Sequence, residues 1–195
     1  MKWMGDLAGH QGRDQAGLRS RYRWSLRILV LLFAAFALLS AVWYGSAYRP
    51  YDTYAEALRA QPGWWEDPAF PGCGVDGEGY SCIVARPGFL SWTGNLGIGL
   101  PDLALEDGEE NSPTDFLIIW PKPGGGTEQG VILYEYEFQE DGVDRTGHQL
   151  YISPDGTYLP YGVPEEDAAN EAVLEAHREK VERLLSRARE IWDLP

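Results

Sequence analysis

Between Arg27 and Arg49 the chain runs for 21 residues without a charge, "ILVLLFAAFALLSAVWYGSAY". As a helix at 1.5 Å per residue this stretch is about 32 Å long, close to the ~30 Å of a bilayer's hydrocarbon core. Only a helix satisfies its own backbone there. Tyr22 and Trp24 precede the run, and Trp43, Tyr44 and Tyr48 close it, where interfacial aromatic belts are expected. The sequence therefore predicts a basic tail at 1–27, a transmembrane helix at 28–48 and a folded domain at 49–195.

Charge gives the expected orientation. Residues 1–27 hold six basic and two acidic side chains, a net of +4, which leaves −18 on the rest of a chain whose total is −14. The positive-inside rule puts the tail in the cytoplasm and the acidic body outside. A body so acidic argues against nucleic acid as a partner, because neutralising phosphates takes a Lys/Arg surface. The competing reading is a cleaved signal peptide, for which Gly45-Ser46-Ala47 supplies small residues. The long head and long apolar run favour an anchor. Within the run, Ala37, Ala41 and Gly45 recur every four residues, a small-residue stripe that serves as a weak candidate for helix–helix contact.

The fold class expected for 49–195 is α+β: an extracytoplasmic antiparallel β-meander packed on a long C-terminal helix. "YDTYAEALRAQPG" (51–63) reads as a short helix with Asp52 as its N-cap. "YSCIVA" (80–85), "DFLIIW" (115–120), "VILYEYEFQ" (131–139) and "HQLYIS" (148–153) read as strands, with "DGVDRTG" closing a hairpin and "YLPYG" returning as a last strand. In 131–139, Ile132, Tyr134, Tyr136 and Phe138 share one face, while Glu135 and Glu137 share the other. "GFLSWTGNLGIGLPDL" resists assignment; its glycines resemble a fragment of a nucleotide loop but lack the strand–turn–helix context. Pro164 followed by Glu165, Glu166 and Asp167 opens a helix, and Arg183, Arg187 and Arg189 suit its end. Val173, Leu174, Val181, Leu184, Leu185, Ala188, Ile191 and Trp192 form a stripe wide enough to cover a sheet, with a helical dimer contact as the alternative.

Chemistry is harder to find. There is no Gly-x-Ser-x-Gly, His-Glu-x-x-His or P-loop pattern. Glu135 and Glu137, about 6.7 Å apart along a strand, and His148 are the weak candidates for an anchored hydrolase. The acidic loops 76–79 and 106–111 do not match calcium-loop spacing. Trp64, Trp65 and Trp92 suit either sugar stacking or core anchoring. No cofactor and no metal site is expected, and none of the residues is assigned as catalytic. Cys73 and Cys82 close a ten-residue, glycine-rich loop; outside the cytosol this pattern predicts a structural disulfide. The partners expected are the lipid bilayer and a second copy or an envelope protein. The function expected is a non-catalytic binding, assembly or sensing module on a membrane anchor, with a structural subunit of a membrane complex as a further alternative.

Overall fold

The structure is a computed structural model. It describes residues 5–101, 114–139 and 142–194, with side chains for all of these except 5–21, 137–139 and 142–143. The chain divides into two compact units, 1–43 and 44–195.

The first unit is one helix, α1 (Gly5–Trp43). Several of its described apolar side chains, among them Leu31, Phe33 and Leu38, are exposed by more than half. The helical run from Tyr22 onward is long and apolar enough to cross a membrane, and none of its most apolar window is buried.

The second unit begins with a π-helical turn at Tyr44–Tyr48 and continues as α2 (Arg49–Arg59). Pro50 sits in the first turn of α2. It has no N–H to close the preceding helical bond, and its ring crowds the carbonyl one turn back, which accounts for the widened register just before it. Tyr48, without a side-chain cap bond, occupies the N-cap position where the sequence suggested Asp52. Asp52 instead pairs with Arg86 at 3.0 Å.

Seven antiparallel strands follow in strict sequence order: β1 (Trp65–Glu66), β2 (Cys73–Val75), β3 (Ser81–Ala85), β4 (Asn95–Gly99), β5 (Phe116–Pro121), β6 (Thr127–Gln139) and β7 (Gly142–Ile152). The four-strand meander read from the sequence is thus part of a larger one. The unassigned glycine-rich stretch contains β4. "VDRTG" belongs to β7 rather than to a turn, because the β6–β7 ladder runs to Gln139↔Gly142. The last expected strand is reduced to a single bridge, Ile152↔Tyr158.

Two helices end the chain, α3 (Pro164–Ala176) and α4 (Arg178–Trp192), where one long helix was expected. The break is at His177, whose φ of −104° and ψ of 10° leave the helical region. Its ring Nδ1 lies 3.0 Å from the Val173 carbonyl, in competition with regular backbone bonding.

Side-chain alternation gives the sheet two unlike faces. On one, Cys82, Val84, Leu96, Ile98, Leu117, Ile119, Val131, Leu133, Leu150 and Ile152 are all buried. They form one cluster with Tyr51, Ala55 and Leu58 of α2, with Leu174 of α3, and with Val181, Leu184, Leu185, Ala188, Ile191 and Trp192 of α4. Each fully buried Leu or Ile there is worth about 1.5–3 kcal/mol as an upper estimate.

The other face carries no helix in that cluster and is built differently. A Cβ on Gly97 would meet the Phe116 ring at 2.5 Å, and one on Gly99 would meet it at 2.9 Å. The Trp120 ring lies 3.2 Å from the Cβ position of Gly130, and the Tyr134 ring 3.1 Å from that of Gly147. Four strand glycines thus leave room for rings from neighbouring strands. The aromatic stripe of β6 belongs to this face. The helix-covered stripe is Val131 and Leu133, continuing into Glu135.

Candidate functional site

The two cysteines are where the sequence reading fails most clearly. Both are free. They lie on adjacent strands, but the register sets Cys73 opposite Ile83 and Cys82 opposite Gly74. Directly opposed residues share a face, so the two thiols leave opposite faces of the sheet, and bridging needs Cβ atoms that point together. Cys82 is buried in the helix-side cluster. Burial pushes its pKa up to about 12, with Asp76 adding to the rise and Arg187 opposing it. Cys73 is half-buried, and burial, then Asp67 and Glu66, raise its pKa. The loop is held without a disulfide: the Cys73 N–H donates to Phe70 O at 2.9 Å, and the Gly72 N–H donates to Glu66 at 2.8 Å.

The acidic turn at 76–79 receives an arginine. Arg187 of α4 donates from Nη2 to Asp76 Oδ2 at 2.9 Å and from Nε at 3.0 Å. It also reaches Glu78 at 3.0 Å and Glu190 at 2.7 Å, and lies over the Tyr80 ring. The Asp76 side chain is 0% exposed and that of Arg187 is 6%. Asp76 Oδ1 in turn accepts the Glu78 and Tyr80 N–H groups, each at 2.9 Å. This is a buried clamp between turn and helix. The second acidic loop, 106–111, lies outside the described residues.

Of the weak acid/base candidates, Glu135 and His148 do meet, Oε2 to Nε2 at 3.0 Å, as an exposed pair across β6 and β7. The side chain of Glu137 lies outside those described. The buried carboxylate nearby in the sheet, Asp115, is committed to the Tyr134 N–H at 2.7 Å and to Lys180 at 2.9 Å. Ala37 and Ala41 lie on α1, whereas Gly45 falls in the π turn, so the regular helical period is interrupted between them. Trp64 packs against the core and over Gly74, while Trp65 and Trp92 are exposed.

A further concavity lies outside the sequence candidates. It is an open cleft of about 600 Å³ at the end of β6 and β7, between the β5–β6 turn and the segment 153–161. Tyr151, Leu159, Pro160 and Tyr161 give it apolar walls, and Lys122 and Glu128, paired at 2.6 Å, give it a charged rim. The rings are held in place. Tyr151 meets Trp120 and Tyr161 with centroids 6.0 Å apart in each case, and Tyr161 meets Tyr158 at 6.1 Å. The Tyr161 hydroxyl donates to Gln149 O at 3.1 Å. Asp167 accepts the Tyr161 N–H at 2.8 Å, the Gly162 N–H at 3.0 Å and the Tyr158 hydroxyl at 2.8 Å. Desolvation works against ionising Asp167, but these donors outweigh it and keep its pKa below the ordinary value. The available signal was "YLPYG", two tyrosines around a proline after a tight turn, which the sequence reading took as a strand.

Family models, curated proteins and solved structures yield no match to this chain.

Proposed function

We propose that this is a single-pass membrane-anchored envelope protein, with residues 1–27 cytoplasmic and the 49–195 domain outside the cytoplasm, where it acts as a non-catalytic binding module. The observation that carries the reading is an uncharged run, 28–48, with exposed apolar side chains, which separates a +4 segment from a segment carrying −18. The tyrosine- and proline-walled cleft supports the binding role. Its rings are fixed by hydrogen bonds and ring contacts, so little ordering cost falls on the binding step.

The test uses the full chain with an N-terminal tag and a C-terminal alkaline phosphatase. The reading expects the tag to remain on a full-mass protein in the membrane fraction, with the phosphatase active. Loss of the tag would mean a cleaved signal peptide. An inactive phosphatase, with a fluorescent protein bright in its place, would reverse the orientation.

A further inference from the structure

The connection between β3 and β4 is pinned to α2 at both of its ends. Arg86 donates from Nε to Asp52 Oδ1 at 3.1 Å and lies over the Tyr48 ring, and the Gly94 N–H donates to the Tyr51 hydroxyl at 2.9 Å. The turn that leads into β3 lies instead at the far end of α2, where the Gly77 N–H donates to Pro62 O at 3.0 Å. β3 and α2 therefore run in opposite directions. The tip of the connection, residues 87–93, continues from Arg86 and stands at the N-terminal end of α2. That is the end by which the chain enters the domain, through Tyr44–Tyr48.

The tip is apolar and shaped. Pro87 and Gly94 are buried at its base, and every residue between them is exposed. Phe89, Leu90 and Trp92 are 58%, 38% and 42% exposed. The Ser91 N–H donates to Gly88 O at 2.9 Å, closing a tight turn in which Leu90 has a φ of 61°. A positive φ at the third residue is that of a type II turn, where glycine or asparagine is favoured. Leucine there is strained, and in water its exposed side chain does nothing to offset the strain. No charged residue stands between Arg86 and Asp102.

We infer that this tip dips into the surface of the bilayer that holds residues 28–48, with Leu90 and Trp92 in contact with lipid, an inference that rests on the anchored reading proposed above. What covers the tip follows from where it stands. The uncharged run ends at Tyr48 and Arg49 carries the first charge after it, so the membrane surface lies at the level of Tyr48. Arg86, at the base of the tip, lies over that same residue. The depth is limited by the backbone. An irregular turn leaves N–H and C=O groups that hydrocarbon cannot satisfy, so the tip stops at the interface, where water remains and tryptophan is favoured. The domain then meets the membrane at two places, the spanning helix and the β3–β4 tip, which together fix its tilt.

The experiment uses the full chain in vesicles of phosphatidylethanolamine and phosphatidylglycerol, part of whose lipid carries a doxyl quencher at a shallow or a deep position of the acyl chain. Leu32→Cys, Glu78→Cys, Leu90→Cys and Trp92→Cys, each in a Cys73→Ser background, carry a small fluorophore. Leu32 lies inside the apolar run and reports the anchor; Glu78 lies in the turn at the far end of α2 and reports water. The shallow quencher is expected to dim the labels at Leu90 and Trp92 several-fold more than the label at Glu78. If quenching at Leu90 or at Trp92 is no stronger than at Glu78, while the deep quencher dims Leu32→Cys, the inference falls and the anchor stands. If Leu32→Cys is dimmed by neither quencher and the chain does not float with the vesicles, the anchored reading falls and takes the inference with it.

Discussion

The two faces of the sheet solve the same problem by different means. The helix-side face buries aliphatic side chains under α2, α3 and α4, and Leu96, Ile98, Leu117, Ile119, Val131 and Leu133 are each 0% exposed. Among the described residues the opposite face has no such layer. There Phe116, Trp120 and Tyr134 lie on Gly97, Gly99, Gly130 and Gly147, so an aromatic side chain covers a neighbouring strand instead of standing away from it. Burial on the first face comes from separate elements brought together. On the second it comes from pairs of residues within the sheet, which need only the correct register.

The largest effect should come from the helix side. Arg187→Met leaves the buried Asp76 carboxyl without its partner, which costs about 3–5 kcal/mol; chemical denaturation of the full chain checks this. A loss below 1 kcal/mol would show that the clamp is not part of what holds that face. Next, Leu117 and Ile118 are neighbours on β5 that point to opposite faces. Leu117→Ala should cost about 2–5 kcal/mol through transfer and cavity terms, and Ile118→Ala about 1–2 kcal/mol because its site is only partly buried. Equal costs would abolish the distinction between the faces.

The thiols test the same contrast with the smallest energetic effect. Cys73 should react slowly with a thiol reagent in native protein. Cys82, whose pKa is pushed up to about 12, should react only after unfolding, since the thiolate is the reactive form. Reductant should leave the melting curve unchanged. A native protein without free thiols would contradict the register of β2 and β3.

Much of this architecture was legible in the sequence, and the failures share one cause. Val, Ile and aromatic runs marked β3, β5 and β6, and the apolar stripe from Leu174 to Trp192 marked the residues of α3 and α4 that reach the core. β4 stayed hidden because its alternate positions are Gly97 and Gly99, which read as a loop until Phe116 is seen lying over them. The cysteine spacing suggested a staple, but spacing carries no information about faces. Only the pairing of Cys73 with Ile83 and of Cys82 with Gly74 puts the thiols apart. The same gap hid which stripe of β6 the helices cover, and the cleft beside Tyr151 and Tyr161, whose walls come from segments that only the closed sheet brings together.

The central claim, that rings on glycines hold the uncovered face, is tested most directly by a double-mutant cycle on Gly97 and Phe116, read by unfolding free energy. The account predicts that Gly97→Ala costs about 1–3 kcal/mol in the wild type, where the new methyl meets the ring, and little once Phe116 is alanine. Costs that simply add, to within about 0.5 kcal/mol, would contradict it.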